Sequence, residues 1–289
     1  MPRYRVPAST TNLGHGFDCL GMALALFNTI DVEPLAGDAI ETPESRDAGL
    51  SAMVARVRDE CARRWNVPVP GLSVRVTGDI PIARGLGSSA SIIIGVAAAC
   101  RDLVGLPQDQ GELIRIGAAI EGHPDNVAAA VLGGFTIVGQ VGDDLRWMRF
   151  DPPADLTCVL VIPPFEVKTS EARKILPDQV AKRDLVTAIQ RTALIVAALA
   201  RGRAEDLRGL LADAWHERYR EQVNAAVAPV RAAAERAGTI GTIISGSGST
   251  VLSFVVRGHA EKTVGALRAS GVGDVRLVEA TATGVAAQR

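Results

Sequence analysis

The sequence predicts an α+β fold built from two domains. Some segments alternate polar and apolar residues with period two, as strands do, and others carry apolar residues at helical spacing. These segments lack the strict strand–helix alternation of a doubly wound sheet, so we favour α+β. The chain has 289 residues, which is long for a single core. Its pattern breaks at Asp151, Pro152 and Pro153, and we therefore expect domains at residues 1–152 and 153–289.

The first half is expected to combine strands with long helices. Alternating residues predict strands at 3–6, 21–34, 72–76 and 133–139. Apolar residues spaced three or four apart predict helices at 50–65, 88–104 and 108–121. Polar residues predict a loop at 36–47. The second half is expected to contain strands at 158–162, 239–244, 250–255 and 274–280, several helices between 169 and 235, and a helix at 259–269.

Composition excludes several classes of function. The formal net charge is -1, so the chain lacks the basic surface of a nucleic-acid-binding protein. The four cysteines form no C-x-x-C pair, which argues against a zinc site and against a disulfide framework. The longest apolar stretch, residues 92–100, is too short to span a bilayer, and the first residues lack the apolar region of a signal peptide. We therefore expect a cytoplasmic protein without nucleic-acid or membrane partners.

A glycine-serine loop precedes the most apolar predicted helix. Gly85 and Gly87 permit backbone conformations and close approaches that a side chain would prevent. Ser88 and Ser89 follow, and serine suits an N-cap because its oxygen accepts a hydrogen bond from a free backbone N–H group. The first turn of a helix attracts anions through such N–H groups and its positive dipole end. The loop is therefore a candidate phosphate site, where a serine hydroxyl could also bind Mg²⁺.

Two common nucleotide-binding loops do not fit these residues. A Walker A loop places a lysine after its last glycine, and no lysine follows Gly87. A dinucleotide-binding loop directly follows a strand in a βαβ unit, whereas residues 79–84 separate the predicted strand from Gly85. Taken alone, the loop fits an ordinary capped helix after a glycine turn as well as it fits a phosphate site.

Three segments of the chain stand out: residues 7–21 (PASTTNLGHGFDCLG), residues 81–90 (PIARGLGSSA) and residues 244–251 (ISGSGSTV). They resemble the first, second and third motifs of the GHMP kinases, which include galactokinase, homoserine kinase and mevalonate kinase. They occur in the expected order along nearly the whole chain. The resemblance implies a two-domain GHMP kinase-like fold, with ATP between an N-terminal domain like ribosomal protein S5 domain 2 and a ferredoxin-like C-terminal α/β sandwich.

Within that family, further segments resemble the bacterial homoserine kinases. They are residues 121–128 (EGHPDNVA) before the Gly-Gly-Phe at 133–135, residues 168–177 (KTSEARKILP) and residues 216–220 (HERYR). Ala129, Arg218 and Ser249 stand where proline is common in the family, but none of these departures removes a group that does chemistry. The resemblance implies transfer of the γ-phosphoryl group of ATP to the hydroxyl of L-homoserine, in threonine biosynthesis, with a homodimer as the expected assembly.

The same resemblance implies roles at the phosphate end of the site. The residues expected to bind ATP are Pro81, Arg84, Gly85, Leu86, Gly87, Ser88, Ser89 and Ala90. Mg²⁺ prefers a few hard oxygen ligands from a protein, and those would be Ser89 and Glu121. Asn126 would orient the acceptor hydroxyl, and Asp125 is the candidate general base. The alternative interpretation of Asp125 and Asn126 is a helix N-cap after Pro124, and that of Glu121 is a solvated carboxylate.

The resemblance also implies a pocket for a zwitterion. The carboxylate of homoserine suits an arginine fork, which Arg173 and Arg220 would supply, and its ammonium group suits a carboxylate, which Asp18 would supply. The remaining residues expected to bind the substrate are Asn12, Asn126, Thr169 and Gly246. A single arginine or aspartate in a long chain is more often a solvated surface residue. We assign these residues to the substrate pocket only because the segments around them resemble the corresponding segments of the family.

Three alternatives stay open from the sequence. One is a different GHMP kinase that acts on a sugar, mevalonate, pantoate or shikimate, although such acids have no ammonium group for Asp18 to bind. Another is a family member that decarboxylates a phosphorylated acid. The third is a catalytically silent GHMP-fold binding protein, against which the presence of Ser89, Glu121 and Asn126 argues.

Overall fold

The computed structural model describes residues 1–43, 48–213 and 215–288 and arranges them around two β-sheets. The last four positions of the loop predicted at 36–47 lie outside the described residues. The strands are β1 (Arg3–Thr11), β2 (Leu20–Leu35), β3 (Ile40–Glu41), β4 (Gly71–Gly78), β5 (Phe135–Val141), β6 (Asp144–Phe150), β7 (Leu156–Ile162), β8 (Gly241–Ile244), β9 (Val251–Val256), β10 (Asp274–Glu279) and β11 (Ala286–Ala287). The helices are α1 (Ala48–Trp65), α2 (Ser88–Leu103), α3 (Gln110–Glu121), α4 (Asp125–Leu132), α5 (Thr169–Lys174), α6 (Lys182–Ala200), α7 (His216–Arg220), α8 (Val227–Ala237) and α9 (Ala260–Arg268).

The first sheet has the order β11-β1-β2-β4-β3, and β5 joins it by pairing with the start of β2 and with β6. Its pairs are antiparallel except for β3 with β4. The second sheet is antiparallel throughout, with the order β10-β7-β9-β8. The chain passes from the first sheet to the second between Phe150 and Leu156, and β11 returns to pair with β1. The two sheets are therefore connected twice, by the segment between β6 and β7 and by the segment between β10 and β11.

Three apolar cores hold these layers together. Helices α1 to α4 pack with one face of the first sheet around residues such as Ile30, Val74 and Ile94. Helices α8 and α9 cover the second sheet in the same way. A third core joins the two sheets, because it contains Met22 and Phe135 from the first sheet and Leu160 and Phe254 from the second. This shared core fixes the sheets relative to each other, and with them the loops at their edges.

The α+β class predicted from the sequence is confirmed. Most of the predicted elements are present, with bounds that differ by a few residues. The main extension is β1, which continues to Thr11, whereas the predicted strand ended at Val6. Ser9, Thr10 and Thr11 are fully buried in the structure, so their polarity misled the prediction.

Four elements were missed. Strand β3 has two residues, lies inside the loop predicted at 36–47 and exists through its pairing with Leu72 and Ser73 of β4. Helix α4 is short and follows Pro124, so its residues looked like a turn. In β6 most side chains are exposed or half-buried, which weakens the alternating pattern on which a strand prediction depends. Strand β11 has two residues and exists through its pairing with Tyr4 and Arg5, which are far away in sequence. Each of these elements depends on tertiary contacts more than on local pattern.

Candidate active site

One cavity of about 760 Å³ collects the residues that the sequence singled out. Of the predicted site residues, Pro81 alone is not among those that line it. The lining contains Asn12, Asp18, Arg84, Gly85, Leu86, Gly87, Ser88, Ser89, Ala90, Glu121, Asp125, Asn126, Thr169, Arg173, Arg220 and Gly246. Groups from the ends of β1, α3 and β8 and from the starts of α2, α4 and α5 therefore face a common space.

The glycine-serine loop lies against the rest of the protein with no room for side chains. Gly85 and Gly87 have φ values of 71° and 69°, in the left-handed region that favours glycine. A Cβ atom on Gly85 would lie 2.1 Å from the backbone oxygen of Ser245, and one on Gly87 would lie 2.1 Å from the hydroxyl of Ser9. The loop can take this path only because both positions are glycine.

Hydrogen bonds from both sheets hold the loop in place. The N–H group of Ser9 donates to the carbonyl of Leu86 at 3.1 Å, and the N–H group of Thr250 donates to that of Arg84 at 3.2 Å. The hydroxyl of Ser245 donates to the carbonyl of Gly85 at 2.7 Å. Strand β1 and the turn after β8 thus fix where α2 begins.

Helix α2 begins at Ser88, as the sequence predicted, but serine is not its cap. Gly87 occupies the N-cap position, and there is no side-chain cap hydrogen bond there. The predicted serine N-cap is therefore wrong, because the left-handed backbone at Gly87 already turns the chain into the helix. The first turn of α2 starts at the cavity, since Ser88 and Ser89 both line it. An anion there meets N–H groups that no side chain has capped.

The guanidinium group of Arg84 contacts the segment that follows β7. Its guanidinium donates to the carbonyls of Pro163 at 3.2 Å and Pro164 at 3.1 Å, and it lies 3.3 Å from the carboxylate of Glu166. These contacts attach the glycine-serine loop to the segment that follows β7. Arg84 lines the cavity in this tethered position.

The carboxylate of Glu121 is a candidate ligand for a divalent cation. Its Oε1 atom is buried and has no hydrogen-bond partner among the described residues. Its Oε2 atom lies 3.6 Å from Nε2 of His123. The Ser89 hydroxyl lies in the same cavity, with the thioether of Met53 at 3.9 Å. An orphaned buried carboxylate oxygen and a nearby hydroxyl fit Mg²⁺, which accepts few protein ligands and fills its shell with phosphate and water oxygens. Within the described residues, no group of three or more His, Cys, Asp and Glu side chains could hold a metal by itself.

Asp125 and Asn126 form a hydrogen-bonded group at the start of α4. The Asp125 carboxylate accepts from the backbone N–H group of Asn126 at 2.8 Å and lies 2.9 Å from Nδ1 of His123. The Asn126 amide is held in turn, because its Oδ1 accepts from Ser9 at 2.8 Å and its Nδ2 donates to Thr11 at 3.2 Å. Asn126 is thereby oriented by residues of β1 beside the glycine-serine loop.

The charges of this group support one another. Burial opposes the ionised form of Asp125, but the hydrogen bond and the positive charge of His123 outweigh it and lower the pKa of Asp125. Burial also opposes protonation of His123, but the hydrogen bond and negative charge of Asp125, together with the charge of Glu121, raise the pKa of His123. The carboxylate of Asp125 is therefore a fixed negative charge at neutral pH.

Asp18 and Arg173 are bound to each other. The guanidinium donates from Nη1 to Oδ2 at 2.9 Å and from Nη2 to Oδ1 at 2.6 Å, the two-bond geometry typical of an arginine and a carboxylate. Both side chains are about one-third exposed, so the pair lies at the cavity surface. Asp18 has a left-handed φ of 53°, and its N–H group donates to Oδ1 of Asn12 at 2.9 Å.

Arg220 lies deeper, with only 1% of its surface exposed. Its Nη1 donates to the carbonyl of Gly246 at 2.8 Å, an oxygen that also accepts from Nδ2 of Asn12 at 3.0 Å. Its Nε is buried without a hydrogen-bond partner among the described residues. Burial, followed by the nearby charge of Arg173, lowers the pKa of Arg220 to about 10, so the side chain remains a cation at neutral pH. At the mouth of the cavity, the hydroxyl of Thr169 lies 3.2 Å from that of Ser247.

Part of the cavity was missed from the sequence. One side is apolar and is formed by Leu50, Met53, Val74, Val76, Ile80 and Ile82. These residues lie on α1, on β4 and in the segment before the glycine-serine loop, where the sequence gives only ordinary helix and strand patterns. Such a surface suits a flat, weakly polar ligand group. No local signal distinguishes these residues from core residues.

A buried carboxylate behind the cavity was missed as well. Glu217 lies beside the turn that contains Gly246, where its Oε1 accepts from the N–H group of Ile244 at 2.6 Å and its Oε2 accepts from Arg231 at 2.7 Å. Burial raises the pKa of Glu217 to about 8. Glu217 therefore holds the end of β8 in place. The turn that follows carries the Gly246 carbonyl, which accepts from Arg220.

The chain is similar to known kinases over nearly all its length. The model of the GHMP kinases N terminal domain matches residues 52–134, and that of the GHMP kinases C terminal domain matches residues 195–273. A protein named homoserine kinase from Moorella thermoacetica is 37% identical over 277 residues, covering 93% of this chain and 92% of the relative. One of the same name from Clostridium kluyveri is 34% identical over 98% of this chain and 97% of its own.

Solved structures are also similar to this chain over nearly all its length. The crystal structure of homoserine kinase from Cytophaga hutchinsonii superimposes with a TM-score of 0.87 at 25% identity, covering 99% of this chain and 97% of the other. Among the described residues, no helix combines the length and the apolar character needed to cross a membrane. From the two matching domain models and the full-length relatives, the chain belongs to the GHMP kinase family.

Proposed function

We propose that this protein phosphorylates the hydroxyl of L-homoserine with ATP, giving O-phospho-L-homoserine for threonine biosynthesis. One observation carries the proposal: Asp18, Arg173 and Arg220 lie in the same cavity as the glycine-serine loop. The substrate is a zwitterion, and these three groups offer one anion and two cations to its two ends. The relatives named homoserine kinase, which align with almost the whole chain, support the same assignment.

ATP would bind with its phosphates at the loop. The uncapped first turn of α2 offers N–H groups to the phosphate oxygens, and the apolar side of the cavity suits the base. Glu121 and Ser89 would hold Mg²⁺, which neutralises charge on the phosphate oxygens when it is bound. Arg84 contributes by holding the loop to the segment after β7.

Asn126 would position the acceptor hydroxyl. Its amide is oriented by Ser9 and Thr11 before any substrate arrives, and phosphoryl transfer depends mainly on such positioning and on charge stabilisation. A general base works best when its pKa lies near the working pH. Asp125 has a lowered pKa and is buried by His123 and Asn126, so it suits the role of a fixed charge that orients Asn126 better than that of a base.

Other acceptors are a weaker fit to the same cavity. Pantoate, shikimate and mevalonate have a carboxylate but no ammonium group, and each would leave Asp18 without a cation beyond Arg173. A silent binding protein would not need the orphaned oxygen of Glu121 beside Ser89. The domain division at residues 152 and 153, the cytoplasmic location and the homodimer are further predictions that stand with the proposal.

The test is a coupled ADP-release assay with Mg-ATP and L-homoserine, run beside L-serine, L-threonine, mevalonate, pantoate and shikimate. Turnover that strongly favours homoserine, with O-phospho-L-homoserine identified by ³¹P NMR, is the expected result. Turnover with a different acceptor alone would overturn the substrate assignment and leave the kinase assignment intact. An absence of ADP release with every acceptor would contradict both.

A further inference from the structure

Two like-charged side chains share one end of the cavity. Arg173 and Arg220 both line it, and the charge of Arg173 is one cause of the lowered pKa of Arg220. Asp18 balances Arg173 through two hydrogen bonds. Arg220 has no carboxylate within hydrogen-bonding distance among the described residues, and its Nε has no partner there. The carboxylates of Asp18, Glu217 and Asp125 offset part of this repulsion from a longer distance.

The ring of Phe17 contacts both guanidinium groups. Its centroid lies 5.5 Å from Cζ of Arg173 and 5.2 Å from Cζ of Arg220. The face of an aromatic ring carries negative charge density, and a cation within about 6 Å of it is attracted, more strongly where water is excluded. Phe17 therefore attracts both cations, which would otherwise repel each other.

The position of the ring is itself fixed. Trp215 meets it edge to face, with centroids 4.8 Å apart, and the ring of His216 lies 5.3 Å away. Gly16, the residue before Phe17, packs closely against Leu20, since a Cβ atom on Gly16 would lie 2.2 Å from the Leu20 side chain. The next residue is Asp18, whose carboxylate pairs with Arg173. Two consecutive residues thus hold the same guanidinium from two directions.

From this geometry we propose that Phe17 is a positioning residue, whose ring keeps Arg173 and Arg220 within reach of one substrate carboxylate. It does not contact the reacting atoms, and its effect acts through the two arginines. The inference rests on the proposed function, because it names the residue that sets the affinity of the site for an amino-acid carboxylate. Binding of ATP, at the other end of the cavity, should be independent of Phe17.

The experiment compares two competitors of homoserine that differ only by a carboxylate. L-2-Aminobutyrate carries the ammonium and carboxylate groups of the substrate, and propylamine is the same molecule without the carboxylate. In Phe17→Leu, the inhibition constant of L-2-aminobutyrate and the KM for homoserine should each rise about tenfold. The inhibition constant of propylamine and the KM for ATP should stay unchanged. Equal loss of affinity for both competitors would overturn the proposal, since it would indicate general damage to the pocket.

Phe27→Leu is the matched control. The guanidinium of Arg5 lies 3.4 Å from the centroid of the Phe27 ring, and neither residue lines the cavity. This variant loses the same kind of contact elsewhere in the protein, so the affinity for L-2-aminobutyrate should not change. A change as large as that in Phe17→Leu would contradict a specific role for Phe17.

A second series tests the charge of the ring with little change in its shape. Phenylalanines with one, two, three and five ring fluorines would be introduced at position 17 only, because fluorine withdraws charge density from the ring face. Affinity for L-2-aminobutyrate should fall steadily with the number of fluorines, and an affinity independent of fluorination would overturn the proposal. The parent protein separates the two hypotheses: if it phosphorylates homoserine while the series is flat, this inference alone fails. A parent without homoserine turnover fails the proposed function, and this inference with it.

Discussion

The carboxylate of Asp18 and the guanidinium of Arg173 are each other's partners across the substrate end of the cavity, at 2.6 and 2.9 Å. The two residues are 155 positions apart and belong to the first and second halves of the chain. An α-amino acid can exchange this ion pair for two new ones without a change in net charge, because its ammonium group can bind Asp18 and its carboxylate can bind Arg173. A ligand with only one of these charges leaves one member of the pair unmatched, which is costly where water is partly excluded.

Asp18→Asn should change acceptor preference. The amide cannot bind the ammonium group as an ion pair, so kcat/KM for L-homoserine should fall by about tenfold to a hundredfold. The value for 4-hydroxybutyrate, which is homoserine without its amino group, should fall much less, because that acid never used the charge of Asp18. The measurement is the ratio of the two kcat/KM values in parent and variant.

Asp144→Asn is the control for this experiment. Asp144 forms a comparable ion pair with Arg115, at 3.1 Å, and does not line the cavity. It should leave the ratio unchanged. A ratio that Asp18→Asn also leaves unchanged would show that Asp18 does not bind the ammonium group.

Glu121→Gln should slow phosphoryl transfer by about a hundredfold, which is the usual cost of removing one group that stabilises charge in a transition state. The amide keeps the size of the side chain but loses the anionic oxygen that is buried without a partner. The measurement is kcat as a function of Mg²⁺ concentration, and half-saturation should move to higher Mg²⁺. Glu235→Gln, on the exposed surface of α8, serves as the control. Identical Mg²⁺ curves for Glu121→Gln and the parent would remove Glu121 from the metal site.

Gly85→Ala should disable the phosphate loop, and Gly105→Ala should not. The two glycines have nearly the same φ, 71° and 72°, so alanine at either position should cost about 1 to 2 kcal/mol of unfolding free energy. Only at Gly85 would the new Cβ atom also meet a backbone oxygen, at 2.1 Å, whereas a new Cβ atom at Gly105 would have no neighbour within 4 Å among the described residues. Because the loop must move, Gly85→Ala should lose about a hundredfold in kcat/KM for ATP. Similar values of kcat/KM for ATP in the two variants would contradict the close packing of the loop at Gly85.

His216 should make stability depend on pH below neutrality. Burial, only partly offset by the charge of Asp213, lowers the pKa of His216 from 6.5 to about 4, and the charges of Arg220 and His15 act in the same direction. The unfolded chain therefore binds a proton between pH 6.5 and 4 that the folded protein does not accept. Stability from this residue is complete above pH 6.5 and is lost as the pH falls, by up to about 3 kcal/mol at pH 4.

His216→Gln isolates that contribution. Glutamine can still donate to the carbonyl of Gly14, which His216 contacts at 3.1 Å, but it does not titrate. Urea unfolding at pH 7, 6, 5 and 4 should show a shallower loss of stability in the variant than in the parent. His259→Gln, which removes an exposed histidine, is the control and should follow the parent. If stability fell equally with pH in the parent and in His216→Gln, the lowered pKa of His216 would be contradicted.

Much of the fold was predictable because its signals are local. The apolar run after Ser89 indicated a buried helix, and α2 extends from Ser88 to Leu103 as expected within one residue. The strands predicted at 158–162 and 274–280 are likewise present as β7 and β10. Elements whose stability comes from distant partners, such as β11 against Tyr4, left no local signal. The serine cap failed for a related reason, because the loop before α2 is held by distant groups such as the N–H group of Ser9, which donates to the carbonyl of Leu86.

The sequence by itself determined the α+β class, the order of the motifs and the residue types available for chemistry, because propensity and periodicity act over a few neighbouring residues. Only the tertiary structure decided which of those residues meet. It paired Asp18 with Arg173, placed Arg220 and Asn12 on the same carbonyl of Gly246, and brought the ring of Phe17 close to two guanidinium groups. Asn12 and Gly246 are 234 positions apart, and contacts over such separations exist only once the shared core has fixed the two sheets against each other.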